Sequence, residues 1–511
     1  MDRKWWTLLA VCVATFMLLL DVTVVNVALP YIERDLKADF SDLQWVIDAY
    51  ALTLAALLLT GGSLADRLGR RLVFIAGLAI FTCASALCGL STSPLMLNLS
   101  RGLQGCGGAF MFATALALLA HAFRGPERGT AMGLWGATTG AAVAVGPLVG
   151  GVLTQAIGWQ AIFFVNLPIG VGAVAMTLAK VDESRDPSQG RIDWPGTVLF
   201  SGALFALIYG LIRGNPEGWS FAGILVALIG AAVLLVAFVL VERASDHPML
   251  ELRLFRTPAF VGASVAAFVL SAAMFAMFLY LTLYVQNILG FSALQSGLRF
   301  LPVTLLSFAV APAAGKLAEQ LGIRWFLGAG LALVGVGLLL MGSLQRGDHW
   351  TALLAGFLVA GAGIGTTNPP LATAAIGVVE PRRAGMASGI NSTFRQVGIA
   401  TGIAAWGAIF QHEVARTFVS DARAAGLRGG GPRGASVADF VSFGGARRVG
   451  GEVARLGEHA FVTGLNHILV LAAILAFAGA ALSALLVRPA DFVAHAPAPV
   501  AGEGAPEAVR V

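Results

Sequence analysis

Residues 62–71 read Gly62-Ser63-Leu64-Ala65-Asp66-Arg67-Leu68-Gly69-Arg70-Arg71, and residues 315–324 read Gly315-Lys316-Leu317-Ala318-Glu319-Gln320-Leu321-Gly322-Ile323-Arg324. Glycine, leucine, alanine, an acid, leucine, glycine and a closing arginine recur in the same order, 253 residues apart. A second echo, Gly129-Thr-Ala-Met-Gly133 against Gly385-Met-Ala-Ser-Gly389, has an offset of 256 residues. Two echoes at nearly one spacing divide the chain into two related halves. Related halves around a central ligand path are the architecture of secondary transporters.

The composition names the solvent of those halves. Of the 511 residues, 57% are hydrophobic, about 69% with the 63 glycines, and only 12% are charged, against about 45–50% apolar with glycine counted and about 25% charged in soluble domains. No soluble globule has interior enough for so much apolar surface, so the chain lies in lipid. A hydrocarbon core of about 30 Å takes about 20 apolar residues per helix. Fourteen such runs occur, near 6–30, 43–65, 72–91, 95–119, 130–156, 160–179, 195–213, 220–241, 258–286, 294–314, 325–344, 351–378, 385–410 and 461–487. The expected fold is all-α and polytopic, with two pseudo-symmetric six-helix bundles and an inserted helix pair. Residues 1–180 form the first bundle, 181–257 the inserted pair with its loops, and 258–488 the second bundle. Within the last, 411–460 is a long outer loop in which short amphipathic helices are expected around 412–425 and 450–460. Residues 489–511, rich in Ala and Pro, read as a disordered tail.

Orientation follows from the basic residues of the short loops. With the N-terminus inside, cytoplasmic segments hold 18 Lys and Arg and the short outer loops four, which puts both termini in the cytoplasm. Arg and Lys are dispersed in these loops, so the net charge of +5 does not indicate nucleic acid. All four cysteines, Cys12, Cys83, Cys88 and Cys106, fall within apolar runs and read as packing residues. No cleavable signal peptide is apparent, because the first apolar run is too long.

The 62–71 segment is physically a helix end, a tight glycine turn and a basic cluster. Asp66 there is favoured by the dipole of the helix that follows and by neighbouring arginines. Span 1 carries Leu20-Asp21-Val-Thr23-Val-Val-Asn26-Val-Ala-Leu-Pro30, span 4 Arg101-Gly-Leu-Gln104-Gly105, and span 6 opens Trp159-Gln160-Ala-Ile-Phe-Phe-Val-Asn166-Leu-Pro168. Span 5 carries Gly146-Pro147 and Gly150-Gly151, a small-residue face for close helix approach and bending. Span 13 carries Gly389-Ile-Asn391-Ser-Thr-Phe-Arg395-Gln396-Val-Gly398.

The 62–71 loop resembles the signature loop of the major facilitator superfamily, and the motifs together resemble its fourteen-span drug/proton antiporter family. The likeness covers spans 1–6 strongly and spans 10–13 moderately. It implies a rocker-switch fold and proton-coupled export of drugs, antibiotics or other amphipathic small molecules. It also implies that Gly62, Asp66, Arg67, Gly69, Arg70 and Arg71, with Gly146, Pro147, Gly150 and Gly151, serve gating and not substrate contact. This chain departs from the pattern at Gln160, where many relatives have Arg, and at Gln320 and Ile323, which leave the second loop degenerate.

Five charges lie well inside spans: Asp21, Asp48, Arg101, Arg299 and Arg395. Asp21 lies about 22 Å along span 1, and Asp48 and Arg101 share its outer half of the first bundle. A desolvated carboxylate has a raised pKa that a nearby arginine lowers, so Asp21, Arg101 and Asp48 are the expected proton-coupling group. Asp21, the deeper acid, is its main carboxylate. Asn26, Gln104, Asn391, Arg395 and Arg299 are the candidates for contact with the transported molecule. Arg299 and Arg395 lack an acid in their own helices and either bind substrate or cap carbonyls at broken turns. Spans 7 and 8 carry only Arg213, at an edge, and are expected to pack peripherally.

Other classes fail on chemistry. Gly315-Lys316 is followed by Leu317, so there is no P-loop. Gly361, Gly363 and Gly365 lie within a span with no strand before them, which excludes a dinucleotide site. An enzyme is not expected, nor a metal, a cofactor or a nucleic-acid partner. The partners expected are protons, a small amphipathic molecule and membrane lipid, for a monomer in a bacterial plasma membrane. An uncoupled facilitator or dedicated metabolite exporter is the rival within transport, and a non-transporting receptor the rival from another class.

Overall fold

The computed structural model describes residues 2–38, 40–123, 126–184, 193–245, 250–380, 384–425, 440–441 and 449–492. They form fourteen long helices and short 3₁₀ turns. The first bundle comprises α1 (Arg3–Leu36), α2 (Phe40–Leu68), α3 (Arg70–Gly89), α4 (Pro94–Ala122), α5 (Pro126–Ala156) and α6 (Ala161–Lys180). Next come α7 (Trp194–Glu217) and α8 (Ala222–Ala244). The second bundle comprises α9 (Pro258–Ile288), α10 (Ala293–Leu321), α11 (Ile323–Met341), α12 (Leu354–Gly377), α13 (Ala384–Ala424) and α14 (Gly451–Leu486). Among the described residues, twelve of these helices include a stretch long and apolar enough to cross a membrane, and α5 and α13 are not among the twelve.

Within the first half α1 packs on α5, and α4 on α2 and α3; within the second, α12 packs on α10 and α11, and α11 on α14. Across the halves α5 meets α10 and α2 meets α13. One face of the molecule carries both ends of the described chain: Lys4 reaches Glu127 at the start of α5 (2.7 Å), and the Ala259 amide donates to Asp491 (3.0 Å). This is called the terminal face below.

Three expectations need correction. The segment 412–425 is the continuation of α13, and 450–460 is the first part of α14, so neither is a separate amphipathic helix in the 411–460 loop. Asp421 of α13 meets His459 of α14 at 2.8 Å, and Gly464 is seated against Val414; these contacts carry both helices past the apolar runs. The tail does not leave the molecule at 489, because Pro489–Asp491 form a turn and Phe492 lies against Gly377. Residues 493–511 lie outside the described ones. Finally, the inserted helices differ from each other. Only 17% of the α8 span is buried, and Val226, Ile229, Val233 and Leu240 face outward, as lipid contact requires. By contrast α7 enters the seam between the halves, where Ile208 joins Leu52, Ala55 and Ala400, and Asn215 donates to the Ala404 carbonyl of α13 (2.8 Å).

Candidate transport site

Helix α1 brings Asp21 to the middle of the first bundle, where it is 2% exposed. Its Oδ2 accepts from Arg101 Nη1 of α4 at 2.5 Å. Its Oδ1 accepts from Gln104 Nε2 (2.9 Å) and from Asn166 Nδ2 of α6 (3.2 Å). Gln104 follows Arg101 by three residues, one helical turn, so both face the same way, and the Gln104 carbonyl accepts from Arg101 Nη1 at 2.6 Å. Ser85 of α3 accepts from Gln104 and Asn166 and donates to the Phe163 carbonyl. The Phe163 carbonyl lies beside the interruption of α6 at Val165, where Pro168 also offers no N–H to the carbonyl of Phe164. Arg101 is completed by the Val46 carbonyl (3.0 Å) and by the Tyr50 ring, 4.3 Å from its guanidinium carbon. A buried ion pair survives in low dielectric only when its remaining polar atoms are satisfied. Here both carboxylate oxygens are.

Of the expected coupling group, Asp21 and Arg101 therefore meet and Asp48 does not. Asp48 faces Arg213 of α7 at 3.8 Å, and Arg213 also pairs with Glu217 (2.7 Å). Because Arg213 keeps Glu217 when Asp48 is neutralised, Asp48→Asn is expected to leave the rate of any transport within about threefold of wild type. Vesicle transport at matched protein levels checks this. Asn166 is the member of the site to which the sequence reading gave no role. Its place beside Pro168 at a helix break was the available signal.

The residues expected to gate fall into two places. Asp66 Oδ1 accepts from Arg70 (2.8 Å) and from the Gly385 amide (3.0 Å), and Oδ2 accepts from the Met386 amide (2.8 Å). Asp66 thus serves the N-terminus of α13 in the other half, and not that of the following helix α3, as the sequence reading had it. Helix α3 is capped instead by Glu183, which accepts from the amides of Arg71 (3.0 Å) and Leu72 (3.1 Å). Gly69, at φ 121°, makes the turn beside that carboxylate, and Arg71 donates to the Leu178 carbonyl. Arg67 is half-buried near Asp193 and Glu242. The second loop mirrors the first: the Glu319 carboxylate is directed at the Gly129 amide and Arg128, at the start of α5. The two sequence echoes are therefore the two partners of one symmetric contact. A Cβ on Gly62 would lie 2.3 Å from the Gly385 carbonyl, and one on Gly315 2.3 Å from the Gly129 carbonyl, so the halves touch backbone to backbone at the terminal face.

Gly146 and Gly150 seat α1, on Thr23 and Val24, while Gly151 has open space where a side chain would be. The side chains of Asn26 and Pro147 lie outside the described ones. Arg299 lies near the start of α10, away from the terminal face, stacked on Phe291 (3.4 Å to the ring centre) and near Trp350 (5.4 Å). Arg395 is buried in the second half and donates to Asn368 of α12 at 3.1 Å; Asn391 is one turn before it.

The sequence pattern of the Major Facilitator Superfamily matches residues 11–403, from α1 into α13. The chain belongs to the Major Facilitator Superfamily. It is accordingly a membrane transporter and not an enzyme. Curated superfamily members include the multidrug resistance protein Stp of Mycobacterium tuberculosis, 37% identical over 79% of this chain and 75% of that protein. The tetracenomycin C resistance and export protein of Streptomyces glaucescens is 32% identical over 97% of this chain and 94% of that protein. The puromycin resistance protein pur8 of Streptomyces alboniger is 35% identical over 79% and 81%. Among solved structures, the human organic anion transporter MFSD10 (TETRAN) superposes with a TM-score of 0.60 at 16% identity, covering 93% of this chain and all of that one. That last likeness concerns the fold alone.

Proposed function

We propose that the protein is a proton-coupled exporter of drugs, antibiotics or other amphipathic small molecules, acting by alternating access in a bacterial plasma membrane. The fourteen long helices are its spans, and the terminal face, with both chain ends, is cytoplasmic. Relatives named for drug resistance and export, aligned over three quarters or more of the chain, support the export direction. The observation that carries the coupling is the Asp21–Arg101 pair, buried, closed in by Gln104 and Asn166, and held in the half of the chain that must move against the other.

The cycle follows from charge. With the terminal face closed, opening on the outer side brings water to Asp21. A proton moves from outside water to a carboxylate oxygen, the ion pair is lost, and Arg101 releases its neighbours together with any substrate group held there. Reorientation exposes the protonated acid to the cytoplasm, where the higher pH removes the proton and the pair re-forms. One proton enters per carboxylate cycle as substrate leaves.

Everted vesicles from a pump-deleted host test this reading with ethidium, Nile red and pyrenebutyrate as probes. Acidifying the lumen should drive accumulation of at least one probe above vesicles lacking the protein, and nigericin should collapse it. Accumulation unchanged by nigericin, or none above control vesicles, would count against it.

A further inference from the structure

Among the described residues, most buried arginines are matched to an acid. Arg101 has Asp21, Arg70 has Asp66, and Arg213 has Asp48 and Glu217. Arg395 differs. It is 7% exposed, and among the described residues it has no carboxylate partner; its hydrogen bond goes to the neutral amide of Asn368. Asn391, one turn earlier on the same face of α13, is 2% exposed, and neither its Nδ2 nor its Oδ1 has a hydrogen-bond partner. An unpaired buried amide group costs about 1–3 kcal/mol and an unpaired buried charge more, so such a cluster persists when something else completes it.

Capping of broken helix turns does not explain the cluster. Pro369 and Pro370 remove two N–H groups from α12, which leaves the carbonyls of Gly365 and Thr366 without helical donors. Arg395 makes no described hydrogen bond to either. Its partner Asn368 instead marks the boundary of the halves, since the Asn368 Cβ lies 3.3 Å from where a Cβ on Gly136 of α5 would be. Arg395 is eleven residues into α13, about 17 Å from the terminal face, close to the middle of a hydrocarbon core of about 30 Å. The midplane at the junction of two repeats is where transporters hold their cargo.

We infer that Arg395, Asn391 and Asn368 form a subsite for an oxyanion of the exported molecule, so that the cargo is an amphipathic organic acid, a carboxylate or an acidic phenol or enol. This rests on the exporter reading and names its substrate class. The guanidinium fork takes two oxygens of a carboxylate in parallel. The Asn391 amide supplies a further donor, and Asn368 holds the fork in place while the subsite is empty. The cargo brings the negative charge that the second half lacks at this depth.

The test uses the full-length protein in nanodiscs, titrated with four amphipathic aryl carboxylates and their methyl esters, pyrenebutyrate and its ester among them. The wild type is expected to bind acids at least about tenfold tighter than esters, the size of one charge-assisted hydrogen bond. Arg395→Gln should bring that ratio close to one by weakening acid binding, and a monodisperse elution profile matching the wild type reports that the variant is folded. Arg395→Lys should keep part of the preference, and Asn391→Ala should weaken acid binding about threefold to tenfold. Equal affinity for acids and esters in the wild type, no binding of any acid, or an Arg395→Gln protein that keeps the preference would overturn the inference. The vesicle assay separates its fate from that of the exporter reading. If ethidium or Nile red is pumped while acids are not preferred, the subsite falls and export stands. If acids are preferred but nothing is pumped, the subsite stands and the exporter reading falls.

Discussion

Asp21→Asn is expected to reduce proton-driven accumulation in everted vesicles to the level of vesicles without the protein, while downhill exchange persists. The amide is nearly isosteric, so Gln104 and Asn166 keep a neighbour of the same shape, but no proton can be taken up and returned. Arg101, still buried, loses its counter-charge, and removing one partner of a buried pair costs about 3–5 kcal/mol. Part of that is offset by the Val46 carbonyl, the Gln104 carbonyl and the Tyr50 ring. Loss of folding would mimic loss of coupling, so a second variant is needed. The double substitution Asp21→Asn with Arg101→Gln removes both charges together; it should restore a monodisperse protein and downhill exchange without restoring uphill transport. Uphill transport by Asp21→Asn at the wild-type rate, with Asp48→Asn inactive, would show that the coupling acid is the one beside Arg213.

Much of this arrangement was legible in the sequence, because the lipid environment makes each deep charge conspicuous. Asp21 and Arg101 lie at related depths on helices of the same half, and their pairing could be expected from depth alone. Asp48 shares that depth, yet its cation comes from α7, an inserted helix whose position between α2 and α13 no repeat could indicate. The length of α13 was also hidden. Polar residues from Gln411 onward read as a loop, whereas pairing with α14 through Asp421 and His459 keeps them helical. The 62–71 loop shows the limit most plainly. Its acid was recognised, but the amides that it binds lie 319 and 320 residues away, and only the tertiary fold brings them together.

The Asp66 contact between the halves carries the second large effect. Asp66→Asn is expected to slow transport at least about tenfold while leaving ligand affinity within a few-fold. In the closed terminal face one carboxylate receives the amides of Gly385 and Met386 and both nitrogens of the Arg70 side chain that point at it. An asparagine has a single acceptor oxygen, so at least one amide loses its partner, and Arg70 loses the carboxylate charge of Asp66 in a buried place. Negative charge at a helix N-terminus is itself worth about 0.3–1 kcal/mol, and more where partly buried. A combined loss of about 3 kcal/mol would shift the balance between closed and open terminal faces by about two orders of magnitude. The transporter would then spend its time open at the terminal face, and the return step would limit the rate. Spin labels at the terminal-face ends of α2 and α13 should report the longer distance in Asp66→Asn. Glu319→Gln should lengthen the corresponding distance between α5 and α10, and less so, because Glu319 is more exposed and its charge is already screened by water. A distance distribution unchanged from wild type in a slow Asp66→Asn protein would exclude the latch, as would complete loss of ligand binding in a variant that remains folded.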